Sequence, residues 1–506
     1  MAQQLQPLTI AAPGFAGINT QDSPIGLDPS FASIADNCVI DQLGRVGARK
    51  GYETVTTNGA SVLGTSKGIE TIFEFTEYDG SITVFSAGNN KIFTGTTTLT
   101  DVTPSGTNIT ANNWKIVSLA DNLFFYQRAH KPLLYDGSAL VEAEDALHAS
   151  GTQPQGNEVL AAFGRLWVAD LTADKHTIYF SDLLHGRKWS GGSSGSLDVT
   201  SVWPTGYDEI TSIAAHNDFL IIFGKRSILV YSGASVPANM TLADTIAGVG
   251  CIARDSVKNT GVDLVFLSED GVRSFQRVVQ EKSMPMRDIS KNVRSELTSL
   301  VRIQNSPIKA HYSADEAFYL LSLETSEIVY CFDMRSALQD GSHRVTTWSV
   351  INPLCYALTT NGDTYIGKPT GIVKYSGYLD NAEKFQMRYF SNPVDFGNSS
   401  NLKFLKKFNL TIIGGQNTET ALNWGYDYLT DYSKQSFNFG TSNLAEYGVA
   451  EYNEAAEYSA SIVIQTPKVN GSGSGSVVTF GIEAQINDAA FSIQKIDILA
   501  LLGRLI

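Results

Sequence analysis

The sequence predicts an all-β protein: a β-propeller of six blades, with seven as the alternative count, followed by a C-terminal β-sandwich. Three observations predict it. First, short β-rich apolar runs recur roughly every 40–55 residues, a period that suits one small antiparallel sheet per repeat, stacked radially. The runs lie at 82–85, 123–126, 166–169, 219–223, 264–267, 318–321 and, more weakly, 364–366. Second, turn residues separate paired runs at Gly88-Asn89-Asn90-Lys91, Asp270-Gly271 and Asn361-Gly362, and Asn and Gly tolerate the positive φ of tight hairpins. Third, charged residues are only 17% of the chain while glycine numbers 44, a mix that favours strands and turns over helix bundles. A propeller is a platform, so its role must come from its surfaces and appendages.

Residues 1–60 do not follow the repeat. Gly17-Ile18-Asn19-Thr20-Gln21-Asp22-Ser23-Pro24 reads as an irregular polar arm, suited either to capping the first blade of its own chain or to docking on a neighbouring subunit or adaptor. Asp28-Pro29 predicts an N-cap and first-turn proline, with Phe31, Ile34 and Ala35 on one face of a short helix. Residues 37–41 then return to strand, and a turn at Gln42-Leu43-Gly44 opens a hairpin that runs on to Tyr52. The propeller is expected over 61–384. Inside it, Ser290 with Val293, Leu297, Leu300 and Val301 predicts an inserted helix near 290–302. Residues 385–506 read as the sandwich, with period-two alternation at 407–414 and 476–482. A Gly-Ser loop at 471–475 and a tyrosine–acid run through Tyr447, Tyr452 and Tyr458 lie between strands. That run predicts an exposed loop or edge, and tyrosine enrichment also makes it a candidate interface.

The chemistry of common enzymes is missing from the sequence. There is no phosphate-binding glycine loop, serine-nucleophile elbow, HExxH or zinc spacing, and the seven histidines are scattered. Neither a cofactor nor a metal is expected. Asp170, Asp182, Asp208 and Asp218 are the carboxylates a propeller glycosidase would need, but acids at blade turns usually cap them. Ser268-Glu269-Asp270-Gly271 approximates a sialidase aspartate box with its glycine one place early, and reads as a turn. Lys403, Lys406 and Lys407 read as a solvated strand edge. Cys38, Cys251, Cys331 and Cys355 are too scattered for a disulfide framework and read as buried apolar residues of a protein made in a reducing compartment. The opening Met-Ala-Gln-Gln-Leu-Gln predicts no secretory signal, and no apolar run approaches the roughly 20 residues of a membrane-spanning helix. The formal net charge of −14 excludes a basic clamp on nucleic acid. An acidic wall facing DNA would instead repel the duplex and keep it mobile.

One pattern is more specific. The run Gly17-Ile18-Asn19-Thr20…Asp22, Leu27-Asp28, Ala35…Asn37…Asp41…Gly44…Arg49…Gly51 resembles the opening of tail proteins of short-tailed bacteriophages. The β-rich middle, and the closing 492–498 with Gly503-Arg504, are similar to their tail nozzle or hub proteins, also called packaged-DNA stabilisation proteins. The resemblance implies a non-enzymatic virion protein, assembled in the host cytoplasm as a homohexameric ring below portal and adaptor. Such a ring continues the DNA channel, passes duplex DNA transiently, retains the packaged genome, and docks fibres, spike or needle. It also implies that Gly17, Asn19, Asp22, Asn37, Asp41 and Arg49 belong to an assembly arm. The alternative is a propeller that binds or hydrolyses glycans.

Overall fold

The computed structural model describes residues 5–64, 68–146, 148–281, 288–439 and 464–505. Six complete four-stranded antiparallel blades stand around one axis, spanning 69–101, 115–142, 156–198, 210–247, 309–349 and 355–375, the last completed by Tyr52–Thr54. A shorter three-stranded sheet, 258–274, stands between the fourth and fifth of these and supplies the seventh position of the alternative count. The strand Tyr52–Thr54 pairs antiparallel with Gly371–Tyr375, so the N-terminal region closes the ring from the outside of its last blade.

The wholly apolar runs have a simple cause. Side chains alternate along a strand, and a blade is covered on both faces by its neighbours. Leu220 and Ile222 enter the layer shared with the preceding blade, beside Trp167 and Ile178. Ile221 and Phe223 enter the layer shared with the following sheet, beside Leu264 and Phe266. Leu123 and Phe125 face backwards while Phe124 and Tyr126 face forwards in the same way. The predicted hairpins form, with Asn89 and Asn90 at φ 48° and 56°, Gly271 at φ 121° and Gly362 at φ 86°.

Among the described residues the sandwich has two sheets. In one, Asn401–Gly414 and Phe491–Leu505 form the long central pair, Leu5–Ala11 lies on the outer side of Phe491–Leu505, and the hairpin Cys38–Ile40/Val46–Ala48 pairs at residues 492–493. The other sheet runs Phe31–Asp36, Phe385–Ser391, Val478–Ile486, Glu419–Tyr426, Ser433–Asn438. Gly17–Ile18 lies parallel between Phe31–Asp36 and His343–Ser349, the outer strand of the fifth complete blade, so blade and sandwich share one ten-stranded sheet.

Several expectations change here. Residues 5–48 are not a separate arm; they supply strands to the sandwich, and Phe15, Ile18 and Asn19 are buried in their own chain. The expected helix at 31–35 is the strand Phe31–Asp36. A bulge between Ala32 and Ile34 turns Ala32 and Ala35 inward, so of the expected helical face only Ala35 is buried and Ile34 is exposed. The helix at 290–302 is present as a 3-10 turn, Lys291–Val293, leading into Arg294–Arg302. Ser290 does not cap it, because its buried hydroxyl accepts the Val272 amide instead. A second helix, Phe275–Glu281, follows a strand where the sequence predicted only a hairpin. Nor is Lys403 solvated: it is buried in a strand flanked on both sides, and its ammonium donates to the carbonyls of Asn398 and Ser476. All four cysteines are free and buried.

Candidate functional site

Two clusters of buried polar groups stand out. The first is the joint between propeller and sandwich, and it gathers most of the residues that the arm pattern singled out. Gly17 sits at φ 80°, and a Cβ there would lie 2.4 Å from the Val345 carbonyl oxygen, so only glycine permits the parallel pairing. Asn19 folds the next turn: its Oδ1 accepts the amides of Gln21 and Asp22 at 3.0 Å, and its Nδ2 donates to Asp22 at 3.0 Å. The amides of Thr20 and Gln21 donate to the Asn292 carbonyl, and Gln21 Oε1 accepts from the Ser295 amide and hydroxyl at the start of the helix Arg294–Arg302.

Asn37, at φ 53°, tolerates the left-handed backbone and spends both ends of its amide. Its Oδ1 accepts from Arg49 Nε at 2.8 Å and the Ser349 amide at 3.1 Å, and its Nδ2 donates to the Gln386 carbonyl at 2.8 Å. Asp41 closes its hairpin by accepting the amides of Leu43 and Arg45 and pairing with Arg45 Nε at 2.6 Å. Arg49 is fully buried, clasps Asp380 through both terminal nitrogens at 2.8 and 2.7 Å, and lies 4.2 Å over the Phe385 ring. One guanidinium thus ties the hairpin, the segment after the last blade and the sandwich strand that begins at Phe385. Of the predicted site residues, the structure brings Asn37 and Arg49 into direct contact; Asp41 and the Asn19–Asp22 turn form separate local units. Tyr447, Tyr452 and Tyr458 lie outside the described residues.

The second cluster lies on the propeller axis, where the inner strands begin. Asp255 pairs with Arg254 at 2.9 Å, with Lys309 at 2.8 Å and more loosely with Lys115 at 4.0 Å. Arg254 reaches two further blades, donating to Asn157 and Asn113 through both their backbone and side-chain oxygens. Glu158, fully buried, accepts from the Ser212 hydroxyl and the Ile213 amide and lies 3.4 Å from Lys115. Burial opposes ionisation of Asp255, yet Arg254, Lys309 and Lys115 override it and hold its carboxyl well below the usual range. Burial pushes Glu158 upward against Lys115 and Arg254. Burial also draws Lys258 down to about 8, with Lys115 adding to the effect. Beside these, His311 stacks on Tyr356 at 5.2 Å, and burial lowers its imidazole to about 3. Nothing in the sequence announces this cluster, because its members come from five segments and share no motif.

The acids considered for glycan chemistry are occupied structurally. Asp170 pairs with Lys175 at 2.5 Å and with Arg128. Asp182 caps a turn through the Leu183 and Ser193 amides and pairs with Lys188. Asp208 accepts the amides of Glu209, Lys225 and Arg226. Asp218 occupies a two-residue hairpin turn at φ 64°. Among the described residues no group of His, Cys, Asp and Glu is gathered for a metal ion, and no helix is long and apolar enough to cross a membrane.

No protein-family model matches this sequence, and no curated protein matches it. Similar solved structures are propellers or contain them. The extracellular domain of the one component system BT4673 from B. thetaiotaomicron is 13% identical, covering 66% of this chain and 41% of that one at a TM-score of 0.43. The chain therefore spans about two fifths of that protein. The WD40 β-propeller domain of Doa1 is 13% identical over 64% of this chain and 96% of that one at a TM-score of 0.36. The Neurospora crassa Pan2 WD40 domain is 9% identical over 76% of this chain and 99% of that one at a TM-score of 0.33.

Proposed function

We propose that this chain is a structural subunit of a short-tailed bacteriophage tail, of the nozzle or hub type. It assembles as a homohexameric ring below portal and adaptor, continues the DNA channel, helps retain packaged DNA and offers surfaces for fibres, spike or needle. One observation carries the reading. The residues of the arm pattern are those whose chemistry the propeller–sandwich joint requires: Gly17 for a close backbone approach, Asn37 for a left-handed turn with four hydrogen bonds, and Arg49 for a buried three-way tie. A pattern that specifies how two domains are joined is a better guide to architecture than repeated apolar runs alone.

The docking role narrows to the part of the arm that the chain does not bury itself. Residues 20–26 project as an exposed loop with Ile25 two-thirds exposed, anchored at its start on the inserted helix. Replacing 22–26 by a short glycine linker leaves a folded protein that fails to join the parent particle. Normal incorporation of that variant would remove the loop from assembly, and electron microscopy of the purified protein without rings would remove the ring. The bore of the assembled ring is mainly acidic, so the isolated protein binds duplex DNA weakly at physiological salt. It turns over no polysaccharide, peptide or nucleic acid.

A further inference from the structure

We propose that Asn361 is a site of spontaneous covalent modification, at which the side-chain amide is lost and aspartate or isoaspartate takes its place. The proposal does not depend on the assembly reading above.

The step needs no enzyme and no cofactor. The Gly362 nitrogen, having given its proton to solvent base, attacks Cγ of Asn361. A five-membered succinimide forms through the new N–Cγ bond, the Cγ–Nδ2 bond breaks, and the nitrogen leaves as ammonia. Water then opens the ring. Attack at Cγ restores the peptide bond and leaves aspartate, whereas attack at the main-chain carbonyl leaves the chain running through the side chain as isoaspartate. Glycine suits the attacking position because it has no Cβ to crowd the nitrogen.

Asn-Gly pairs occur at 58–59, 361–362 and 470–471, and the structure separates them. The Asn58 amide is held at both ends by Leu99: its Nδ2 donates to the Leu99 carbonyl at 3.0 Å and its Oδ1 accepts the Leu99 amide at 2.9 Å. Gly59 is packed so closely that a Cβ would lie 1.9 Å from the Thr370 carbonyl oxygen. Asn470 ends the strand Lys468–Asn470 opposite Lys407, and the Gly471 amide donates to the Lys406 carbonyl at 3.1 Å. Bringing that nitrogen onto the asparagine means parting two strands. Asn361 differs in each respect. It stands at the tip of the hairpin that joins Cys355–Leu358 to Thr364–Lys368, where Thr360, Asn361 and Gly362 are all exposed. Its side chain makes no hydrogen bond among the described residues. The Gly362 amide donates to the Thr359 carbonyl at 3.0 Å, inside the same turn, so opening the tip frees it without disturbing a strand.

The surroundings give the change a consequence. Glu74 accepts the Thr360 amide at 2.6 Å, Asp363 follows the turn, and a Cβ on Gly362 would lie 3.7 Å from Asp315 Oδ2. Lys374 is paired with Asp363 at 3.0 Å. A neutral Asn361 adds nothing to these carboxylates. Its product adds another negative charge, and isoaspartate lengthens the backbone of the turn by one atom. Both changes loosen the hairpin.

Incubation of the full chain at mildly alkaline pH, followed by peptide mapping with electron-transfer fragmentation, tests this, since the fragments distinguish aspartate from isoaspartate. In the folded chain Asn361 reacts first and yields both products. Asn58 and Asn470 react at least about tenfold more slowly than in the same chain unfolded in guanidinium, because each must wait for a local opening. Retention of the Asn361 amide while Asn58 or Asn470 loses its own, or equal protection of all three relative to the unfolded chain, overturns the site.

Discussion

The inter-blade layers and the propeller–sandwich joint hold the same chain together by opposite means. Between blades the contacts are apolar and repeated, with Ile222 against Trp167 and Ile178 on one side of a strand and Phe223 against Phe266 on the other. Burial of this kind is non-directional, so each layer tolerates exchange among apolar residues of similar volume. The joint depends instead on a few polar groups with fixed geometry, above all Arg49, Asn37 and Asp380. The layers supply most of the stability, whereas the joint decides which strands meet. A hydrogen-bonded ion pair in a buried place punishes any wrong pairing by leaving a charge exposed to an apolar surrounding.

The largest effect should come from breaking that tie. Arg49→Met leaves Asp380 buried without its partner and should cost about 3–5 kcal/mol in urea unfolding. A loss below about 1 kcal/mol would show that the joint is redundant. Next comes a single blade layer: Ile222→Ala, at a fully buried position, should cost about 2–4 kcal/mol. If the two variants unfold through the same transition, propeller and sandwich form one cooperative unit; separate transitions would divide them.

A smaller effect is pH-dependent. His311 is buried and its folded value, about 3, lies below the unfolded one. The unfolded chain therefore takes up a proton on acidification before the folded one does, and stability falls as pH drops from about 6.5 towards 3. Between pH 6.5 and 5 the slope from this group approaches about 1.4 kcal/mol per pH unit, with His343 shifted in the same direction. His311→Gln should flatten the stability–pH curve in that interval; an unchanged slope would assign it elsewhere. The smallest effect is local: Asp218→Gly, at φ 64° in a two-residue hairpin turn, should raise stability by about 0.5 kcal/mol, because glycine relieves the left-handed conformation. A loss would mean that the Asp218 carboxylate holds something.

The blades were legible in sequence because their physics is local and repeated. A strand buried on both faces must be apolar throughout, and a two-residue turn must contain residues that accept positive φ, as at Asn89-Asn90. The joint was half legible. Asn37, Asp41 and Arg49 stand out as a pattern, yet nothing near them indicates that Arg49 meets Asp380, some 330 residues later. Phe31–Asp36 is a strand although Phe31, Ile34 and Ala35 fall at helical spacing behind Asp28-Pro29, because its sheet partner lies some 355 residues away and leaves no local mark. Lys403 was misread because nothing in a lysine codon announces two backbone carbonyls waiting in the interior. The axial cluster was invisible for the same reason: Lys115, Glu158, Asp255 and Lys309 become neighbours only once the ring has closed.

The placement of the first strand sets a timetable for synthesis. Leu5–Ala11 pairs with residues 495–501, and Tyr52–Thr54 pairs with residues 373–375. At roughly 5–20 residues per second on the ribosome, the first strand waits about 25–100 s for its partner to be made. During that wait blades one to four can already be assembled, while an apolar N-terminal segment stays unpaired and available to any other nascent chain. Pairings of such long sequence separation are also slow to find. Pro7, which lacks an amide hydrogen to donate, interrupts that waiting strand and makes it a poorer template for the wrong partner.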